Sequence, residues 1–140
     1  MDDTDRELIS LLRANARESV VALAKKLRVA RATVQNRIAR LEQEGTILGY
    51  TLRLKPAAEG PRVRAMMTIA VEGNSASEVL KLLRGHPNVV ALHTTNGRWD
   101  IVAEVRAETL EAFDLVLNAI RRISGIATTE TSILLSTHKV

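Results

Sequence analysis

The chain has 140 residues, room for one domain or two small ones, and its 46% hydrophobic and 26% charged content is that of an ordinary globular protein. No apolar run approaches the ~20 residues that span a bilayer, and the acidic opening Asp2-Asp3-Thr4-Asp5 is unlike a secretory signal. There is no cysteine, which excludes disulfides and thiolate chemistry and suits a reducing compartment, so a cytoplasmic location is expected.

Charge is unevenly distributed. Residues 1–55 hold 11 Lys/Arg against 7 Asp/Glu, whereas residues 56–140 hold 9 of each, so the net +4 belongs to the N-terminal part. Between Arg13 and Arg40 stand eight basic residues and one acid, Glu18. A cationic surface of this kind gains counterion-release free energy on a nucleic-acid duplex, although charge alone also describes a solvated basic face.

Three short helices are predicted in this part. The first opens on Thr4-Asp5-Arg6-Glu7, read as a capping box, and buries Leu8, Ile9, Leu11 and Leu12. Ser19 caps the second, whose apolar positions are Val20, Leu23, Ala24 and Leu27. After the break Arg28-Val29-Ala30, the third runs over 31–44 with Val34, Ile38 and Leu41 inward, and Gly45 ends it. At 100° per residue, Ala32, Gln35, Asn36 and Arg40 face outward, with Arg31 and Thr33 near the leading end. Gln and Asn can pair bidentately with adenine, Arg with guanine, and an Ala or Thr methyl can touch thymine. Basic flanks on a helix-turn-helix therefore point to double-stranded DNA: base or backbone contacts from Gln35, Asn36 and Arg40, and phosphate contacts from Arg31 and Arg37.

Tyr50–Leu54 reads as an extended connector, and the prolines and glycine of residues 55–61 disfavour helix and central strand. Beyond it, strand and helix alternate. Residues 64–71 are strand-like, and Ser75-Ala76-Ser77-Glu78 is a capping box before a helix carrying Val79, Leu80, Leu82 and Leu83. Strands over 89–95 and 101–105 flank Asn96-Gly97, a pair suited to the φ > 0 positions of a type I′ hairpin. A helix over 109–124 turns Leu110, Phe113, Leu117 and Ile120 inward, and a last strand covers 126–137. The order βαββαβ reads as a ferredoxin-like sandwich with its helices on one face. Both parities of Met66–Val71 and of Ile133–Leu135 are apolar or small, which predicts an open sheet face covered by a second copy.

Residues 5–54 resemble the DNA-binding domain of the Lrp/AsnC (leucine-responsive/asparagine-responsive, feast/famine) regulators. The matching segments are Asp5-Arg6-Glu7-Leu8-Ile9, Leu23-Ala24-Lys25-Lys26-Leu27, Thr33-Val34-Gln35-Asn36-Arg37-Ile38 and Leu41-Glu42-Gln43-Glu44-Gly45-Thr46-Ile47-Leu48-Gly49-Tyr50, the last passing into a strand. The likeness extends to the C-terminus. It implies an α+β chain with residues 1–50 as a helix-turn-helix (winged-helix-like) domain that contacts DNA through Arg31, Ala32, Thr33, Gln35, Asn36, Arg37 and Arg40. Residues 51–61 would be a connecting strand and linker, and 62–140 a RAM/ACT-like effector and oligomerisation domain. It further implies homodimers, assembled into rings of dimers, and an amino-acid or related effector beside the Gly97-Arg98-Trp99-Asp100 loop. There Asn96, Gly97, Arg98 and Asp100, with Thr129 and Thr131, would line the site. Two positions depart from the family: Ala30 stands where Ser is usual, and Arg98 where an acid is frequent.

No other constellation carries chemistry. His86, His93 and His138 lack metal-ligand spacing and have no cysteine to join them, so no metal or cofactor is expected and no catalytic set is recognisable. Three alternatives share parts of this pattern. A sirohaem-decarboxylase-like enzyme would need His93 beside Arg98, and an RNA binder would need surface aromatics that the chain scarcely has. An effector-independent architectural DNA-binding protein would use the first domain alone.

Overall fold

The computed structural model describes residues 1–60 and 62–139. The chain divides into two compact units, Met1–Arg53 and Leu54–Val140. In the first, α1 (Asp3–Ala14), α2 (Val20–Leu27) and α3 (Arg31–Gln43) enclose a core of Leu8, Leu12, Leu23, Ala24, Val34 and Leu41. These side chains recur at helical spacing, so each helix offers one apolar stripe and the three stripes meet.

The start of α1 differs from the sequence expectation. Asp2, not Thr4, is the N-cap: its carboxylate accepts from the Asp5 amide at 2.9 Å, and the Asp5 carboxylate accepts from the Asp2 amide at 3.2 Å. Both registers satisfy the capping-box pattern, and contacts from Arg37 and Arg40 of α3 to the Asp5 carboxylate favour the earlier one. Ser19 caps α2 as expected, accepting from the Ala22 amide at 3.1 Å. The turn into α3 passes through Arg28 in the left-handed region (φ 56°), the one non-glycine with positive φ among the described residues. Gly45 (φ 76°) closes α3, and Ile47 then donates back to the Leu41 carbonyl at 3.0 Å.

Two further expectations fail between the helices and the sheet. No strand forms over Tyr50–Leu54, because an extended segment needs a ladder partner and these residues have none among the described residues. Leu48, Tyr50, Leu52 and Leu54 stay exposed as a result. Residues Pro56–Glu59 instead form a single helical turn, α4, since proline at the first helical position already has helical φ and needs no amide partner.

The second unit is a four-stranded antiparallel sheet, β1 (Val63–Val71), β2 (Val89–Thr94), β3 (Ile101–Ala107) and β4 (Ile126–Ile133), in the order β2-β3-β1-β4. With α5 (Ala76–Arg84) and α6 (Leu110–Arg121) between strands, this is the βαββαβ ferredoxin-like arrangement read from the sequence. The core joins Ala65, Met67, Ile69, Ile101 and Val105 to Val79, Leu83, Phe113, Val116 and Ile120 from the two helices. Leu110, expected inward, is exposed, and Val116 takes the buried place; Leu82 is likewise exposed on α5. Ser75 precedes α5 without a side-chain cap because its own backbone is already helical (φ −80°, ψ −5°), which turns Oγ away from the first-turn amides. The last strand ends at Ile133, short of the predicted Thr137.

On the sheet's other face the apolar reading of β1 holds only in part. Arg64, Glu104 and Arg106 lie there together, with Glu104 accepting from Arg64 Nη2 at 3.2 Å and ion-paired with Arg106 Nη2 at 3.2 Å. The apolar pattern of β1 and β4 does not extend to β3, which alternates Val102, Glu104 and Arg106 toward this face.

Candidate nucleic-acid interface

The α3 residues that the core does not claim define the candidate surface. Val34 and Leu41 are buried and Ile38 half-buried, which fixes the rotation of the helix. Arg31, Ala32, Gln35, Asn36 and Arg40 are then exposed, with Thr33 and Arg37 half-buried at the margin toward α1. Thr33, Asn36, Arg37 and Arg40 join Asp2 around a shallow concavity of about 390 Å³. Arg31, Ala32 and Gln35 lie apart from it, on the leading end and opposite flank of the helix.

Two acids that sequence reasoning passed over hold part of this surface. Asp5 is fully buried, the one buried charged residue among the described residues. Its carboxylate accepts from Arg40 Nη2 at 2.6 Å and from Arg37 Nη1 at 2.9 Å. Arg37 Nη1 also lies 2.8 Å from both carboxylate oxygens of Asp2. The Arg40 guanidinium, and then that of Arg37, hold Asp5 well below the usual carboxylate range against the opposing effect of desolvation. Arg37 also lowers the pKa of Asp2, helped by the Asp5 amide. A signal existed in the sequence. Asp5, Leu8 and Leu12 recur at i, i+3, i+7, so Asp5 lies on the buried stripe of α1 and requires a cationic partner there.

The N-cap of α3 is Ala30, whose backbone is extended (φ −70°, ψ 152°) as an N-cap requires but whose side chain makes no capping bond. Ala30→Ser is expected to stabilise the N-terminal unit by about 1 kcal/mol. A higher urea midpoint by helical circular dichroism checks this, and an unchanged midpoint would show that the hydroxyl fails to reach a first-turn amide.

In the second unit the residues expected at an effector site divide into two groups. Asn96, Gly97, Arg98 and Asp100 are exposed in the loop between β2 and β3. That loop is not a type I′ turn, since neither Asn96 nor Gly97 has a positive φ. The ladder stops at Thr94 opposite Ile101, and the loop is closed by its own side chains. Thr95 Oγ1 accepts from the Gly97 amide at 3.2 Å and donates to the Trp99 carbonyl, while the Thr95 amide donates to the Asp100 carbonyl at 3.0 Å. Asp100 Oδ2 accepts from the Val71 amide at 2.9 Å, and Arg98 stacks over Trp99 with its guanidinium carbon 5.5 Å from the ring centroid. Thr129 and Thr131 sit on β4 opposite Ile69 and Met67, so they share the helix-facing side of the sheet. Thr129 lies toward the loop end of the ladder and Thr131 nearer its middle, where its buried hydroxyl has no hydrogen-bond partner. Among the described residues no cluster of acids and histidines could hold a metal ion.

Comparison with known proteins places both units. The model of the AsnC-type helix-turn-helix domain matches residues 1–42, and that of the Lrp/AsnC ligand binding domain matches residues 64–140. The HTH-type transcriptional regulator FL11 of Pyrococcus furiosus is 30% identical over 139 residues, spanning 99% of this chain and 92% of its own length. A second, uncharacterised HTH-type transcriptional regulator of Pyrococcus furiosus is 34% identical over 143 residues, with 99% and 95% covered. The structure of E. coli AsnC superposes with a TM-score of 0.83 at 27% identity, covering 100% of this chain and 95% of that one. A Neisseria meningitidis transcriptional regulator solved as its L-Met complex gives 0.82 at 22% identity, over 100% and 93%, a likeness of fold. With a DNA-binding helix-turn-helix domain followed by a ligand-binding domain, this chain belongs to the Lrp/AsnC family of transcriptional regulators.

Proposed function

We propose that α3 is the recognition helix of this regulator and that it enters the major groove with Ala32, Gln35, Asn36 and Arg40 toward the bases. Thr33 approaches at the helix's leading end, and Arg31 and Arg37 meet phosphates. The observation that carries this reading is the burial pattern of α3, which turns amide and guanidinium groups outward on one cationic helix. Arg37 commits only Nη1 to the carboxylates, and a guanidinium has five N–H donors, so Nε and Nη2 are chemically suited to a phosphate. On this reading residues 1–50 form the DNA-binding domain, 51–61 the connector, and 62–140 the effector-binding and oligomerisation domain, acting without enzymatic chemistry in the cytoplasm.

The regulator works as a homodimer, extended to a ring of dimers, which presents paired recognition helices to a pseudo-palindromic site. Exposed Leu48, Tyr50, Leu52 and Leu54, together with Ile133, Leu134 and Leu135, supply apolar surface for such contacts. An amino-acid-like effector binds beside Asn96, Gly97, Arg98 and Asp100, with Thr129 and Thr131 from β4. The L-Met complex of the Neisseria protein supports this choice of ligand class. Arg98 is suited to the α-carboxylate, and Asp100 to the α-ammonium once it gives up the Val71 amide.

The test is selection of preferred sites from a random duplex pool, followed by titrations with Asn36→Ala and Arg40→Ala. A bidentate base contact is worth ~1–3 kcal/mol, so each substitution is expected to cost about 5- to 150-fold in affinity for the selected site, and to relax preference at one base pair. If both variants keep the wild-type preference, α3 is not the reading helix.

A further inference from the structure

We infer that Asp5 is a positioning residue for DNA recognition: from its buried place on α1 it holds the Arg40 guanidinium in the orientation that reads a base. The inference rests on the assignment of α3 as recognition helix and adds what prepares that helix for its site.

The geometry is specific. The two helices meet polar group to polar group at this point: one Asp5 oxygen takes Arg40 Nη2 at 2.6 Å and the other takes Arg37 Nη1 at 2.9 Å. Asp5 is itself anchored, because its backbone amide and its carboxylate are both tied to Asp2 in the capping box. Its position is therefore set by the helix start as well as by the core around Leu8 and Leu12. Arg37 is secured twice, by Asp5 and by Asp2, and its side chain is 24% exposed. Arg40 is secured once, through Nη2 alone, and its side chain remains 44% exposed. One arginine is thus drawn into the scaffold while the other is braced and still reaches solvent on the outward side of α3.

A free arginine loses much rotamer freedom when it docks on a base. A planar guanidinium already pinned at one amino group has less to lose, and its plane is set before the DNA arrives. Bidentate recognition of guanine depends on that plane, whereas attraction to a phosphate depends mainly on charge. Asp5 should therefore affect sequence preference more than bulk affinity. Its negative charge opposes the phosphates, so a positioning role is one in which discrimination is gained while non-specific binding is reduced.

The experiment compares wild type, Asp5→Asn, Arg40→Ala and the double variant on the selected site, on every single-base change of it, and on unrelated duplex. Asp5→Asn is expected to reduce discrimination at the Arg40 base pair by tenfold or more. Binding to unrelated duplex should be unchanged or stronger, and the substitution should add nothing in the Arg40→Ala background. A folded Asp5→Asn protein with undiminished discrimination, with equal loss at every base pair, or with the same loss when Arg40 is absent, overturns the inference. An Arg40→Ala protein that keeps full base preference overturns this inference, and if Asn36→Ala keeps it as well the recognition-helix reading falls with it. Loss in Arg40→Ala without loss in Asp5→Asn removes the inference alone. Because Asp5→Asn could compromise folding, the wild-type protein supplies a second measurement, ¹⁵N relaxation of the Arg40 Nε–H group assigned through Arg40→Lys. Order close to that of the α3 backbone in the free protein is expected, and a freely mobile Arg40 side chain overturns the proposal.

Discussion

Leu8→Ala is expected to unfold the N-terminal unit while leaving the C-terminal sheet folded. Leu8 is fully buried and belongs to a cluster of only six buried apolar side chains. Truncating a buried leucine to alanine costs ~2–5 kcal/mol, the lost transfer free energy plus a cavity the surroundings only partly close. A unit spanning Met1–Arg53 has a total stability on the order of 3–8 kcal/mol. Loss of Leu8 therefore removes a large fraction of it and, toward the lower end, all of it. Two signals separate the units. Trp99, the sole tryptophan, reports only on the C-terminal unit, whereas helical circular dichroism reports on both. Leu8→Ala should lose part of the helical signal and all sequence-specific DNA binding at low urea, with the Trp99 fluorescence transition unmoved. Intact helical signal and binding would show that the site relaxes around the smaller side chain, and a shifted Trp99 transition would show that the units melt together.

Gly125→Ala is expected to have the largest effect in the C-terminal unit. Gly125 precedes β4 with φ +99°, and a Cβ there would lie 2.5 Å from Ser75 Cβ, 2.9 Å from Ser75 Oγ and 3.2 Å from Val79 Cγ2. Ser75 Cβ is attached directly to the backbone where α5 begins, so rotating a side chain cannot relieve the closest contact. The segment cannot easily back away either, because the Gly125 carbonyl accepts from the Glu72 amide at 2.8 Å. Left-handed backbone costs a residue with a Cβ ~1–2 kcal/mol and overpacking adds ~1–3, for a total of about 3 kcal/mol. In a domain of this size that lowers the Tm by about 10–20 °C, read by Trp99 fluorescence. Removing the Ser75 side chain in Gly125→Ala/Ser75→Gly should restore part of the loss. A Gly125→Ala protein within a few degrees of wild type would mean that α5 and β4 separate at little cost.

Much of this architecture is legible in the residues because it depends on local periodicity. The stripes of Leu8 and Leu12, Leu23 and Ala24, and Val34 and Leu41 need only a 3.6-residue repeat to be recognised, and Ser19 needs only its place before an apolar run. In β3, Ile101, Ala103 and Val105 alternate with Val102, Glu104 and Arg106, whereas both parities of residues 66–71 in β1 are apolar or small, so its core-facing set of Ala65, Met67 and Ile69 is settled by pairing rather than by pattern. The failures share a different character. Thr4 and Asp2 both satisfy a capping pattern, and the choice rests with arginines more than thirty residues away. Ser75 loses its cap to a helical backbone packed against Gly125, fifty positions later in the chain. Asn96-Gly97 has the composition of a tight hairpin, yet Thr95 and Asp100 organise a longer loop through bonds to its amides and to β1.

The two-part plan, a cationic helix-turn-helix followed by a βαββαβ sandwich, was determined by the sequence itself, through apolar spacing, turn residues and segregated charge. These are short-range properties, and each is decided within a few residues. Only the tertiary structure decided which cations are free. Arg37 and Arg40 appear in the sequence as two members of a basic run, and in the fold they meet Asp5 and Asp2, one drawn inward and one braced outward. The physical reason is desolvation. A carboxylate placed on a buried stripe must find a cation, and which cation it finds is settled only when the helices pack.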